Sequence, residues 1–128
     1  MRRLLTIAAV ALLSAPLATA ASAADVESGK ELFGKCKSCH TVGPDAKHGV
    51  GPQLNGIVGR KAGSLADFKY SDSMKAEAAK GLVWTEATLD KYLANPKAVV
   101  PAGSMVFAGF KDKADRDDVI AYLKSAGK

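Results

Sequence analysis

Cys36-Lys37-Ser38-Cys39-His40 sets two thiols three positions apart with an imidazole directly after them, and no other stretch of the 128-residue chain concentrates so much reactive chemistry. Thiols at that separation can add to the two vinyl groups of a haem while the adjacent imidazole ligates the iron from one face; Cys-x-x-Cys-His is the attachment sequence of c-type haem. Two other chemistries use the cysteine pair alone. A disulfide redox site needs a strand leading into the pair within a βαβ pattern, whereas a helical pattern precedes Cys36 and no sheet is visible. A zinc site needs four ligands, but beyond the cysteines there are only His40 and His48, and His40 is poorly spaced to share a tetrahedral ion with Cys39. One haem c, held through two thioethers, is the reading that uses all three residues.

His40 would take one face of the iron, and its second ring nitrogen then needs an orienting acceptor, which a carbonyl of the following Gly- and Pro-rich loop can supply. The other face decides the chemistry: left open it binds small ligands, closed by a side chain it passes only electrons. Met74, Met105 and His48 are the candidates. Met74 falls in a helical pattern, where packing is its ordinary role. Met105 lies in the structureless Pro101-Ala102-Gly103-Ser104-Met105 segment, 65 residues after His40, and is the favoured sixth ligand. A thioether favours ferrous iron, so a fairly positive potential is expected.

The elements that must position these groups read as helices. Asp25 to Cys36 forms a first helix with Asp25 as N-cap and Val26, Gly29, Leu32, Phe33 and Cys36 on one face. Gly29 is costly in a helix, and its place on the apolar face predicts a helix crossing there. From Thr41 to Ser64 periodicity vanishes: glycines at 43, 49, 51, 56, 59 and 63, with Pro44 and Pro52, leave room for no more than one turn around Leu54, Ile57 and Val58. So long an irregular stretch calls for a flat, rigid ligand to pack against. Ser71 to Lys80 reads as a Ser-capped helix closed by Gly81. A further helix runs from its cap Thr85 through Leu89, Tyr92 and Leu93 to Asn95-Pro96. Lys97 to Phe110 has no helical period. The last helix starts near Asp112 or Asp115, with Val119, Ile120, Tyr122 and Leu123 on its apolar side and Lys124 and Lys128 toward its negative end. The fold class is all-α, four to five helices joined by long loops.

Residues 1–23 are read apart from this domain, residues 24–128, as a cleaved export signal: a positive start at Arg2-Arg3, an apolar run from Leu4 to Leu13, and Ala21-Ser22-Ala23 before the cut. Cleavage after Ala20 is the second choice. The apolar run is too short to span a bilayer and Pro16 interrupts the sequence just beyond it, so no stable membrane insertion is expected. Without Arg2 and Arg3, 16 basic residues stand against 13 acidic ones, and this mild balance does not suit nucleic acid. A mature chain this short needs a staple, and two cysteines three residues apart cannot supply one by closing so small a loop. Covalent haem fits.

Beyond the pentapeptide, Lys47-His48-Gly49-Val50-Gly51-Pro52, Gly59-Arg60-Lys61-Ala62-Gly63, Phe68-Lys69-Tyr70-Ser71-Asp72, Trp84-Thr85-Glu86, Tyr92-Leu93-Ala94-Asn95-Pro96-Lys97, Met105-Val106-Phe107-Ala108-Gly109 and Ile120-Ala121-Tyr122-Leu123-Lys124 resemble class I cytochrome c, over residues 25–128 and in order. The resemblance implies the cytochrome c fold and a role for each matched position. Cys36 and Cys39 would form the thioethers, His40 and Met105 the axial bonds, and the Pro52 carbonyl would accept the His40 proton. Tyr70 and Trp84 would bond the haem propionates with Arg60 nearby, Tyr92 would reach the Met105 sulfur, and Phe107 would cover the exposed haem edge. Gly29 and Phe33 would pack on Val119 and Tyr122, and His48 would staple loops. The chain departs from mitochondrial members at Gly103, where they carry threonine, and in a longer loop around Met74. Its lysine ring is also incomplete: Lys35, Lys97 and Lys111 match, whereas Ala98, Ser104 and Asp112 stand where lysines are usual.

The reading is an exported, monomeric, single-haem electron carrier of the periplasm, not an enzyme, docking donors and acceptors near the haem edge. Its rivals are a haem peroxidase or ligand sensor with a labile Met105, and a dedicated acceptor subunit of one dehydrogenase.

Overall fold

The computed structural model describes residues 15–17 and 23–128. The expected export segment, residues 1–23, lies almost wholly outside the described residues. Asp25 opens the first helix, α1 (Val26–Leu32): its carboxylate accepts the N–H groups of Glu27 and Ser28 at 2.9 and 3.1 Å, satisfying two of the donors that a helix start leaves free. The α-helix does not run on to Cys36 as its periodicity suggests. It tightens into a 3-10 turn over Phe33–Lys35, and the Cys36 N–H bonds the Phe33 carbonyl at 2.8 Å. Gly34, a poor helix former, sits in the middle of that turn.

Helix α2 (Asp72–Ala79) starts where Ser71 Oγ accepts the Met74 N–H at 3.1 Å, and Gly81 follows it at φ 94°. Helix α3 (Glu86–Ala94) is capped by Thr85, whose hydroxyl accepts the Thr88 N–H at 3.1 Å. The segment after it is not wholly irregular, as its lack of period suggests, because Pro96–Val99 winds into a short helix, α4. Asn95 is extended there, and Pro96, with φ preset and no N–H to satisfy, begins a new turn. The last helix, α5 (Lys113–Ala126), has Asp115 in its first turn and Lys124 in its last, each complementing the helix dipole. Among the described residues the only sheet-like pairing is one antiparallel bridge between Lys61 and Val83.

Helices α1 and α5 cross at Gly29. A Cβ on Gly29 would lie 2.6 Å from the Asp118 carbonyl carbon and 2.9 Å from Tyr122 Cβ, so only glycine lets the two backbones approach this closely. Phe33 caps the crossing, its ring 5.3 Å from that of Tyr122. The core joins Phe33, Val119, Ile120 and Leu123 to Leu89 and Leu93 of α3 and to Ile57, Ala62, Trp84, Val100 and Phe110 of the loops. Burying a side chain such as Phe33 or Val119 stabilises by about 1.5–3 kcal/mol. Polar ties hold the long loop. Asn55 clamps Gly43 through both its amide groups at 2.8 Å. His48 accepts the Gln53 N–H at Nδ1, 3.1 Å, and meets Asp67 Oδ1 at 2.9 Å through Nε2, making it a staple between loops.

Candidate functional site

Cys36, Cys39 and His40 follow α1 in two overlapping turns, the N–H groups of Cys39 and His40 both bonding the Cys36 carbonyl, at 3.1 and 2.8 Å. Both thiols are free and half-buried. Burial pushes the Cys36 thiol up, Cys39 adds to this and Lys35 opposes it, so the protonated form is favoured.

His40 Nδ1 lies 2.7 Å from the Pro52 carbonyl. A carbonyl can only accept, so Nδ1 carries the proton and Nε2 keeps its lone pair for a metal. Burial holds the imidazole below its ordinary pKa, the Pro52 bond opposing and the Arg60 charge assisting, which favours the neutral ligand form. Gly51 makes the cradle. A Cβ there would strike His40 Cε1 and lie 2.7 Å from both ring nitrogens. Arg60 braces the same turn, forking onto the carbonyls of Asn55 and Gln53 at 3.1 and 3.0 Å. Burial lowers its pKa, Tyr70 opposing, and among the described residues no carboxylate pairs with it.

A second group gathers around Tyr92. Its hydroxyl donates to Met105 Sδ at 3.6 Å and its ring lies 4.7 Å from that of Trp84, which is 5% exposed. Burial pushes Tyr92 up to about 12, so it remains a donor. The two groups meet through the backbone, where the Trp84 N–H bonds the Arg60 carbonyl at 2.9 Å. Tyr70 accepts the Leu65 N–H at 3.2 Å, which leaves its own hydroxyl proton to donate. Phe107 stands on Phe110 with ring centres 5.0 Å apart, and Lys35 Nζ is 5.4 Å from the Phe110 ring centre. Met74 packs against the core from α2.

The donor set fits haem c: two free thiols at attachment spacing, an imidazole with Nε2 available, and a thioether held by a half-buried hydroxyl. Sequence reasoning missed the part Gly51 plays in seating His40, although a glycine directly before Pro52 was the available signal. It also missed Asn55 and Asp67 as loop partners, and Ser73, whose hydroxyl accepts the Ala102 N–H at 3.0 Å.

The family model for cytochrome c matches residues 26–127. A cytochrome c2 of Rhodomicrobium vannielii is 58% identical over 106 residues, 83% of this chain and 82% of the relative. A cytochrome c-550 of Ancylobacter novellus is 54% identical over 97 residues, covering 76% and 91%. Among solved structures, cytochrome c2 from Rhodospirillum centenum aligns with a TM-score of 0.76 at 37% identity over 81% of this chain and 99% of that one. Cytochrome cH from Methylobacterium extorquens gives 0.71 at 46% identity, covering 79% and 98%. The matches run through the helices and through the loops that carry the thiols, the imidazole and the thioether. This chain belongs to the cytochrome c family, with haem c as its cofactor and electron transfer as its function.

Proposed function

We propose that residues 24–128 act as a monomeric periplasmic shuttle, released from the export signal 1–23, whose iron is closed by His40 and Met105 and which therefore carries electrons and catalyses no reaction. Haem c supplies the one-electron Fe(III)/Fe(II) couple. Cys36 and Cys39 hold it by thioethers, so the cofactor is retained although the protein core is small. One observation carries the reading: both intended ligands are clamped by hydrogen bonds, His40 Nδ1 to the Pro52 carbonyl at 2.7 Å and Met105 Sδ from the Tyr92 hydroxyl at 3.6 Å. Ligands fixed in this way would be held in place through both oxidation states and would leave no coordination site for a substrate. The Tyr70 hydroxyl proton, the Trp84 indole N–H and the Arg60 charge are the groups suited to the propionates. Phe107 covers the haem edge, and Lys35, Lys97 and Lys111 steer acidic redox partners toward it.

Met105→Ala tests the assignment. The haem should remain attached through two thioethers, the far-red absorption of a Met–Fe(III) bond should vanish, the potential should fall, and the reduced protein should bind CO rapidly. An unchanged potential would move the ligand to Met74 or His48. Rapid CO binding by the unaltered reduced protein at neutral pH would overturn the closed-iron reading and favour a peroxidase or sensor.

A further inference from the structure

We infer that Ser73 on α2 is a positioning residue for Met105, its hydroxyl latching the loop that presents the thioether. The inference rests on Met105 being the axial ligand. The loop is anchored at both ends. Val100, 1% exposed, accepts the Gly103 N–H at 3.1 Å, and the Phe110 N–H bonds the Leu93 carbonyl at 2.7 Å. Among the described residues, only two hydrogen bonds reach the span between these anchors from other elements. One is the Tyr92 hydroxyl on Met105 Sδ at 3.6 Å; the other is Ser73 Oγ, which accepts the Ala102 N–H at 3.0 Å across 29 positions of sequence.

The two ties do different work. Tyr92 grips the sulfur itself, so its bond is lost whenever Met105 swings away from the iron. Ser73 grips the backbone three residues upstream and opposes the swing. Its hydroxyl is also not needed by its own helix, because the cap of α2 is already made by Ser71 Oγ on the Met74 N–H at 3.1 Å. Met74 and Ala78 pack α2 against the core, which gives the latch a fixed mount. Ala102 is exposed and Ser73 half-buried, so the bond can break without disturbing the interior.

The test is stopped-flow binding of imidazole to the ferric holoprotein at saturating imidazole, where the rate reads opening of the Met105 loop. Ser73→Ala should raise that rate about two- to tenfold, the loss of one ordinary hydrogen bond, with the far-red Met–Fe(III) absorption intact. Ser73→Thr, which keeps the oxygen, should restore the original rate. Ser71→Ala weakens the α2 cap without touching Ala102 and should leave the rate near that of the unaltered protein. An unchanged rate in Ser73→Ala, or an equal rise in Ser71→Ala, would overturn the latch. Absence of the far-red absorption in the unaltered protein would instead remove Met105 as ligand, and with it what Ser73 is inferred to position.

Discussion

With Met105 as the proposed iron ligand, the Tyr92 hydroxyl, which donates to Sδ at 3.6 Å, would weaken sulfur donation and disfavour Fe(III). Tyr92→Phe should therefore lower the reduction potential. A bond of this weak kind, at about 0.5–1 kcal/mol, corresponds to roughly 20–40 mV for one electron. Because burial pushes Tyr92 up to about 12, the offset between the two proteins should persist through neutral and mildly alkaline pH and close only as pH approaches that value. Potentiometry across pH checks both statements. Gly51 acts on His40. Its absent side chain is what lets His40 sit with Nδ1 on Pro52, because a Cβ would lie 2.7 Å from both ring nitrogens and the ring is already held at 2.7 Å from that carbonyl. Neither partner can give way cheaply. Gly51→Ala should cost at least about 1–3 kcal/mol and produce mixed axial ligation, seen in the thermal melt and the visible spectrum.

Between elements, the α1–α5 crossing depends on one missing side chain. Gly29→Ala would drive a Cβ to 2.6 Å from the Asp118 carbonyl carbon, backbone that cannot rotate aside, while a Cβ at Gly34 meets nothing within 4 Å. Denaturant unfolding should show Gly29→Ala destabilising by about 2–3 kcal/mol or more and Gly34→Ala neutral or slightly stabilising. The His48–Asp67 tie adds a pH dependence. The hydrogen bond from His48 holds the Asp67 carboxyl below its usual range, so its folded-state pKa lies beneath the unfolded one. The stabilisation is present above the ordinary carboxylate pKa and is lost as pH falls through the lowered folded value. The carboxylate is exposed, so the effect is small: the melting temperature of Asp67→Asn should fall slightly less on acidification than that of the unaltered protein. What was legible in the chain follows the range of each interaction. Asp25, Ser71 and Thr85 announce helix starts because a cap is local chemistry, and Cys36, Cys39 and His40 announce haem because attachment needs only five residues. The end of α1 at Leu32 was not legible, since the apolar spacing continues through the 3-10 turn. Four residues of α4 are too few to show a period. The Ser73–Ala102 bond joins two unremarkable residue types 29 positions apart, and no local pattern encodes it.

Across the whole molecule, charge is spent unevenly, and this bears on how partners are met. Three cations on the α3–α5 side are consumed in ion pairs, Arg116 with Asp90 at 2.7 Å, Lys124 with Glu86 at 2.8 Å and Lys113 with Asp117 at 2.9 Å. Among the described residues Lys35, Lys97 and Lys111 carry no such partner. Lys35 stands over Phe110, on which Phe107 packs, Lys111 follows Phe110 in the chain, and Val106 is fully exposed. On the proposed docking face this gives an apolar centre with a sparse positive rim, since Ala98, Ser104 and Asp112 are exposed but supply no cation. Long-range steering scales with the rim, whereas contact once docked depends on the apolar centre. Electron-transfer rates with an acidic redox partner should therefore fall with added salt, and Lys35→Glu and Lys111→Glu should each lower them several-fold at low ionic strength. The difference should vanish near 1 M salt, where screening acts within about 3 Å. Val106→Asp should slow transfer at every salt concentration, and Ala98→Lys with Ser104→Lys should raise the low-salt rate. Lys91, in the groove between α3 and α5, is the control. If Lys91→Glu slows transfer as much as Lys111→Glu, net charge rather than the placed lysines does the steering, and the docking face must be sought elsewhere.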